Sequence, residues 1–284
     1  MNPEPKSRQP KFARLRSRAL VAVRGPDRLA FLQGLLTQDV ETLGEGEVRY
    51  GALLTPQGRL LFELFLTGRA DAVLIDLPAA QRDALVQRLS LYRLRAKVEV
   101  EAVDGAVFAL WDAAGAGPGW APDPRLEALG WRATGAEPPP APGAVEAGED
   151  EYDRRRIALG VADTAYDRLP ENTYPVEANL DLLNGVDFKK GCFVGQETTS
   201  RMKRRGQVRT RLAPLAVEGP APAPGAEVLA GPLRAGEVVG GGEGCALALL
   251  RLDRAADGGL SIDGRPVKAA FPAWLAPELE KLGG

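Results

Sequence analysis

The first third of the chain alternates between short apolar runs and segments in which apolar residues recur at helical spacing. Strands are predicted over 19–23, 72–77, 97–101 and 107–111. The segment 48–66 predicts a hairpin, because the proline and glycine of 55–58 suit a tight turn. The spacing also predicts a helix that Asp27 would cap and another from Pro78 to about Leu91. This order of elements predicts an α+β layer, ferredoxin-like in outline.

The residues from 115 onwards form three successive kinds of segment. Residues 115–148 are rich in alanine, proline and glycine and predict a surface excursion, with a strand-like interruption at 126–134. Residues 149–159 predict a helix with acidic residues first and arginines later, and Pro175 predicts the start of a short helix. Further apolar runs cover 208–217, 227–239, 245–252 and 270–274. Because glycine and proline separate these runs, they predict a small antiparallel β-barrel or sandwich.

The composition is that of an ordinary soluble globular protein, with 45% hydrophobic and 26% charged residues among 284. The formal net charge of −2 provides no overall attraction to nucleic acid or to anionic membranes, so anion binding requires local basic clusters. The chain contains no histidine, which excludes serine–histidine–aspartate and cysteine–histidine catalysis as well as histidine-ligated zinc or haem.

Two cysteines, Cys192 and Cys245, lie far apart in the sequence and match no metal-ligand spacing. One chain therefore cannot supply the four thiolates of a standard iron–sulfur cluster, and no stably bound metal is expected. So few cysteines argue against a disulfide-stapled secreted domain. The polar, basic first 18 residues lack the apolar core of a signal peptide, and no apolar run has the length of a membrane span. We therefore expect a soluble, cytoplasmic protein.

The most distinctive stretch of the sequence is 187–197, in which Gly191 and Gly195 flank Cys192. The glycines predict a tight loop that opens a helix and holds the thiol near the amino end of that helix. Lys189 and Lys190 add positive charge there, a setting that favours a thiolate. The alternative is that Cys192 is a small buried hydrophobic residue.

Lys190-Gly191-Cys192-Phe193-Val194-Gly195-Gln196-Glu197 resembles the signature of the YgfZ family. These are proteins of the tetrahydrofolate-binding fold, relatives of the glycine-cleavage T-protein, that support iron–sulfur cluster assembly or repair. The passages 31–40, 91–98 and 173–181 are also similar to the family pattern. The resemblance implies a T-protein-like ring of three domains, with ferredoxin-like α+β domains and a C-terminal small antiparallel β-barrel.

The domain boundaries that the resemblance implies are discontinuous. Residues 1–43 and 150–209 would form the folate-binding-fold domain with the signature loop. Residues 44–149 would form an inserted α+β domain, and 210–284 the barrel.

The resemblance also implies ligands and site residues. Tetrahydrofolate or a derivative would be the cofactor, and iron–sulfur scaffold, carrier or client proteins would be the partners. Cys192 would be the working thiol, as a transient ligand or redox centre. Residues expected to favour the thiolate, shape the loop or bind the cofactor are Lys190, Phe193, Gln196, Glu197, Arg201, Tyr174, Glu177 and Asn179. Glu177 is better explained as a residue of a capped short helix.

Two other classes of function compete with this one. Glu63, among apolar neighbours in the hairpin, aligns with the catalytic aspartate of the T-protein and would be the general acid–base of a one-carbon transferase. It is equally explained as an edge-strand residue in water. Ala158 occupies the place of a folate-contacting glutamate of the T-protein, which counts against that enzyme.

The third class is a non-catalytic RNA or protein adaptor. Arg201, Lys203, Arg204 and Arg205 form a basic run that would bind a polyglutamyl tail, a phosphate backbone or an acidic partner, or would simply face solvent. Aromatic residues are sparse, which argues against nucleic acid as the main ligand.

Overall fold

The computed structural model describes residues 9–256 and 258–283. Its strands are β1 Lys11–Leu15, β2 Arg18–Arg24, β3 Val48–Leu54, β4 Leu60–Gly68, β5 Ala72–Pro78, β6 Glu99–Val103, β7 Ala106–Trp111, β8 Ala121–Pro122, β9 Trp131–Gly135, β10 Val145–Glu146, β11 Thr210–Ala216, β12 Glu227–Ala230, β13 Leu233–Gly242, β14 Cys245–Arg251, β15 Leu260–Ile262 and β16 Arg265–Ala269. Its helices are α1 Arg28–Gln33, α2 Arg82–Tyr92, α3 Glu149–Ala158, α4 Gln196–Arg204, α5 Leu252–Ala255 and α6 Ala276–Gly283. No described helix combines the length and apolar character that crossing a membrane requires.

The chain divides into two compact units. The first contains the described residues of 1–28, 42–49 and 65–153, and the second those of 29–41, 50–64 and 154–284. The boundary passes through β3, β4 and α3. The expected division into three domains is a different one and stays a prediction.

Two antiparallel-rich sheets contain the strands of the first half of the chain. One has the order β10-β1-β7-β9-β8, and the other has the order β3-β4-β5-β2-β6. Strand β7 is buried along its whole length, and β2 is buried at nearly every position. The strands predicted by alternation are confirmed. Residues 115–148, expected to be a loose excursion, supply the short strands β8 and β10 and the strand β9 predicted near 126–134.

A cluster of buried charged side chains fills part of the first unit. Asp76 accepts hydrogen bonds from Arg18, with Nε to Oδ1 at 2.7 Å, and from Arg132. Asp123 binds Arg125 through both carboxylate oxygens, at 3.0 and 2.9 Å. All three guanidinium groups lie over the ring of Phe65, the one of Arg132 at 3.8 Å from its centroid. Because paired charges in an interior lose their water, the stability of this unit depends on keeping every member of the cluster paired.

The second unit contains a closed antiparallel barrel, as the sequence predicts. Its strand order is β11-β14-β13-β12-β15-β16, and β16 pairs with β11 to close it. Alternating apolar residues of these strands form one core, with Leu275 from the segment after the barrel packed in it. The apolar run at 270–274 forms no strand in the described structure. The last pair of strands is instead β15 and β16, followed by α6.

Two local predictions are wrong. The helix expected from Pro175 does not form. Asn179 adopts a left-handed φ of 63°, which ends the helical winding of the chain after one turn. Asp27 accepts the backbone N–H of Lys97 at 2.7 Å, and its Oδ2 is therefore held outside α1. Helix α1 ends at Gln33, so the apolar residues after it pack from turns.

We expect Asp123→Asn to lower the free energy of unfolding by about 3 kcal/mol at pH 7, because Arg125 would keep a buried charge without its counter-ion. Burial raises the pKa of Asp123, but Arg125 and Arg132 outweigh it and hold this pKa below its usual range. A carboxyl group of this kind stabilises the fold above its unfolded pKa of about 4, and that contribution is lost as the pH falls through the folded pKa.

Urea unfolding of both proteins across pH 2 to 7, roughly the range in which carboxyl groups titrate, measures this difference. The variant should lose less stability than the wild type on acidification. The control is Asp83→Asn. The carboxylate of Asp83 is 89% exposed beside Arg82, so its removal should leave the free energy of unfolding unchanged. Equal stability of Asp123→Asn and wild type at pH 7 would contradict the conclusion that Asp123 is the counter-ion that stabilises the buried Arg125.

Candidate functional site

The loop 185–195 of the second unit holds the signature cysteine and is tied down where it begins. Asp187 Oδ1 accepts the backbone N–H groups of Lys189 at 2.7 Å and Lys190 at 3.2 Å, which folds the chain into a turn. The backbone N–H of Asp187 donates to the carbonyl of Thr37 at 2.9 Å. The Thr37 hydroxyl donates to Gly185 O at 2.6 Å and accepts the Ala52 N–H at 2.8 Å. One buried threonine therefore connects the loop to the hairpin.

Lys190 fastens the same loop to the end of α1. Its ammonium donates to the backbone carbonyls of Gln33, Leu36 and Gln38, with N–O distances of 2.7, 2.7 and 2.8 Å. A cation at this position satisfies carbonyls that the helix end leaves without partners. Burial lowers the pKa of Lys190 to about 8, and nearby Asp39 and Asp187 oppose the shift.

The three protons of Lys190 are thus directed at carbonyl oxygens, with the ring of Phe193 at 5.5 Å from Nζ. In the described part of the chain, no hydrogen bond joins Lys190 to Cys192. The expected effect of Lys190 on the thiolate therefore stays a prediction. These contacts give Lys190 a structural role, which is to hold the loop against the end of α1.

Gly195 anchors the other end of the loop and caps α4 with a left-handed φ of 80°. A Cβ atom there would lie 2.7 Å from Thr55 O and 2.8 Å from the Cα of Gly58. Gly58, in the hairpin turn, is equally restricted by Gly195 O and Thr198. Gly191 differs, because it has no positive φ and an added Cβ would meet nothing within 4 Å. The predicted need for glycine is therefore found at Gly195 and is absent at Gly191.

Cys192 lies exposed on this loop, four residues before α4 begins, while the next residue, Phe193, is buried. The alternative of a buried hydrophobic cysteine is therefore wrong. Cys245 is half-buried at the start of β14, and burial raises the pKa of its thiol. Of the two cysteines, the one in the signature loop is the accessible one.

A surface pocket of about 580 Å³ lies along α4. Its lining residues are Phe188, Gln196, Glu197, Ser200, Lys203 and Arg204. Gln196 and Glu197 were predicted to contact a ligand, whereas Cys192 and Arg201 are not among the lining residues. Arg201 is exposed on α4. The pocket combines one aromatic ring with cationic, amide and hydroxyl groups and the carboxylate of Glu197.

Lys203, which lines this pocket, is held by a chain of ion pairs with residues that were not predicted from the sequence. Lys203 Nζ binds Asp181 Oδ2 at 3.0 Å and lies 5.6 Å from the ring centroid of Phe188. Asp181 also binds the buried Arg211 at 2.8 Å, and Arg211 reaches Glu278 at 2.7 Å. One feature of the sequence could have indicated these ion pairs, because Arg211 is a charged residue within a strand of alternating apolar residues.

The predicted folate-cavity residues lie in the turns of 171–180. The ring of Tyr174 lies 4.9 Å from the guanidinium carbon of Arg59. Glu177 Oε2 accepts the Tyr174 N–H at 2.9 Å, and burial raises the pKa of Glu177 although this bond and Arg59 oppose the shift. Asn179 is buried, donates to Leu212 O at 2.8 Å and accepts from Arg211. None of the predicted three lines the pocket.

Glu63 is 2% exposed, which excludes the alternative of an edge-strand glutamate in water. Its Oε2 accepts the backbone N–H of Thr164 at 3.0 Å. A carboxylate held in this way fixes the segment after α3 against the hairpin. Its expected acid–base role stays a prediction.

Comparison with known proteins gives matches over most of the chain. Residues 209–277 match the model of the CAF17 C-terminal beta-barrel domain, in agreement with the barrel. The chain is 34% identical to "Iron-sulfur cluster assembly factor IBA57, mitochondrial" of Homo sapiens and of Mus musculus. The matches cover 76% and 75% of this chain and 70% and 68% of those proteins. The homologue of Neurospora crassa is also 34% identical, over 74% of this chain, which spans only 55% of that longer protein.

Among solved structures, the glycine cleavage system aminomethyltransferase T from Bartonella henselae superposes with a TM-score of 0.72. The superposition covers 93% of this chain and 85% of that one, at 18% sequence identity. The T-protein-like fold expected from the signature is thereby confirmed, and at this identity only the fold is shown.

The expected cytoplasmic location is wrong. The relatives from Neurospora crassa, mouse and human are all mitochondrial proteins. The expectation came from composition, which does not distinguish one reducing compartment from another.

We expect Gly195→Ala to lower the free energy of unfolding by about 3 kcal/mol, because alanine would add both left-handed strain and a clash with backbone atoms of Thr55 and Gly58. Gly191→Ala, in the same loop, is the matched control and should leave stability unchanged. Thermal and urea unfolding measure both variants. Similar free energies of unfolding for the two variants would show that Gly195 is not in close contact with the hairpin.

Proposed function

The chain belongs to the family of the iron–sulfur cluster assembly factor IBA57, and from this premise we propose that it acts in iron–sulfur cluster assembly with Cys192 as its functional thiol. The observation that supports this most is the exposure of Cys192 on a loop whose two ends are fixed. Lys190 holds one end through three carbonyls, and Gly195 packs at the other. A thiol presented in this way is accessible to a cluster or to a partner protein without unfolding of its surroundings.

The cluster would be a substrate in transit, because the chain has only two cysteines and no histidine. Cys245 is half-buried in the barrel and is poorly suited as a second ligand. We infer that Cys192 supplies one thiolate and that a scaffold, carrier or client protein supplies the other ligands of a cluster. This division explains why the thiol lies at the surface.

The pocket along α4 is the candidate site for a folate derivative. Its volume of about 580 Å³ lies within the range of small-molecule sites. The ring of Phe188 suits stacking on a pterin or aminobenzoyl ring, and Gln196 suits hydrogen bonding to it. Arg204 suits a carboxylate of the glutamate tail. A folate bound there would lie against the helix that the signature loop opens.

The two competing functions have less support. The general acid–base of a transferase must reach a substrate, whereas Glu63 is buried with Oε2 on the Thr164 N–H. An adaptor would use the basic run, but Lys203 is paired with Asp181, and Arg204 lines the pocket. Arg201 and Arg205 are the exposed cations of that run that do not line the pocket.

We expect Cys192→Ser to abolish complementation in cells that lack their own member of this family, measured as the activity of iron–sulfur enzymes. The exposed side chain contributes little to packing, so the melting temperature should not change. Cys245→Ser is the matched control, with the other thiol of the chain removed, and should complement normally. Restored enzyme activity with Cys192→Ser would remove the thiol from the function.

For the cofactor, calorimetric titration of tetrahydrofolate should show binding with a Kd of roughly 1 to 100 μM. Gln196→Ala combined with Arg204→Gln should weaken binding at least about tenfold, because two polar contacts are lost. Cys192→Ser, outside the pocket lining, should bind like wild type. Absence of binding to the wild type would reject the folate proposal and leave the role of Cys192 open to its own test.

A further inference from the structure

Two leucines project from the surface where α2 ends. The side chains of Leu91 and Leu94 are 67% and 89% exposed, the highest values among the large hydrophobic residues described. The inward residues of the same helix, Leu85 and Leu89, are fully buried. The hydrophobic core is therefore complete without the two projecting leucines, and folding does not explain them.

The backbone at Leu94 adds a second observation. The Ala96 N–H donates to Arg93 O at 2.8 Å, which closes a tight turn over 93–96. Leu94 occupies this turn with a φ of 45°, a left-handed conformation that favours glycine or asparagine. A leucine in this position costs conformational energy and gains no burial in return. Strain of this kind at an exposed side chain indicates that the side chain is used.

The surroundings of the leucines are cationic. Arg88, Arg93, Arg95 and Lys97 are exposed, and in the described part of the chain no ion pair involves them. The neighbouring carboxylates have other interactions, since Asp83 pairs with Arg82 and Glu99 acts on Arg24. Asp27 accepts the backbone N–H of Lys97. We call the two leucines and these four cations the leucine tip.

We propose that the leucine tip binds reversibly to an anionic lipid surface. Projecting apolar side chains framed by unpaired cations match the interfacial layer of a bilayer, in which leucine enters the headgroup–acyl boundary and cations meet lipid phosphates. A second copy of the chain is a poor occupant, because the same four cations would face each other. No spanning helix is needed for this mode of binding.

The test is co-sedimentation of the full chain with vesicles of phosphatidylcholine containing about one-third phosphatidylserine, compared with phosphatidylcholine alone. We expect binding to the anionic vesicles that weakens as salt is raised. Leu94→Gly should reduce the partition coefficient about tenfold through loss of the apolar side chain. Its folding should be unaffected or improved, because glycine accepts the left-handed φ without strain.

Two further variants complete the test. Arg93→Gln combined with Arg95→Gln should reduce binding by about tenfold and flatten its salt dependence. Leu233→Ala removes a leucine that is 54% exposed on β13 and should bind like wild type. No binding of the wild type to anionic vesicles would overturn the proposal and leave an acidic protein as the occupant. Unchanged binding of Leu94→Gly would also overturn it. Neither result affects the test of Cys192, which measures a different segment.

Discussion

The candidate site depends on one ammonium group. Lys190 Nζ binds three carbonyl oxygens that α1 and the following turn would otherwise leave without donors. Those carbonyls belong to 33–38, and the lysine belongs to the loop with the cysteine, so one side chain fixes two distant stretches of sequence. Lysine suits this task because its three donors diverge from a single point. Arginine, with a planar fork, would not match three converging carbonyls.

The remaining constraints on the loop are contacts of backbone against backbone. Gly58 and Gly195 approach so closely that neither tolerates a Cβ atom, and Thr37 joins the hairpin to the loop through its hydroxyl. Such contacts hold the loop against the hairpin and restrict the conformations that the backbone near Cys192 can adopt. The thiol is therefore exposed and still well positioned, a combination that a long flexible loop does not provide.

Local patterns predicted much of this architecture, and contacts between distant residues account for what they missed. Alternation located the hairpin and the barrel strands, because one-sided burial imposes a period of two on the sequence. The turn at Asn179 and the roles of Lys190 and Asp181 were missed, since each depends on partners far along the chain. The resemblance of eight ordered residues predicts Cys192, Gln196 and Glu197 as site residues, and that assignment stays a prediction. The sequence did not show that Cys192 lies outside the lining of the pocket that the other two share.

The closure of the barrel also affects how the protein behaves at high concentration. Since β16 pairs with β11 at Leu215 and Ala216, the barrel is closed and its strands offer fewer unpaired edges to a neighbouring molecule. One open sheet ends at both sides in strands of only two residues, β8 and β10, which offer few groups for pairing. Strand β6, at an edge of the other sheet, bears the carboxylates of Glu99 and Glu101. These features reduce edge-to-edge aggregation at the barrel and at three of the four edges of the open sheets, a useful property for a protein that keeps a thiol on its surface.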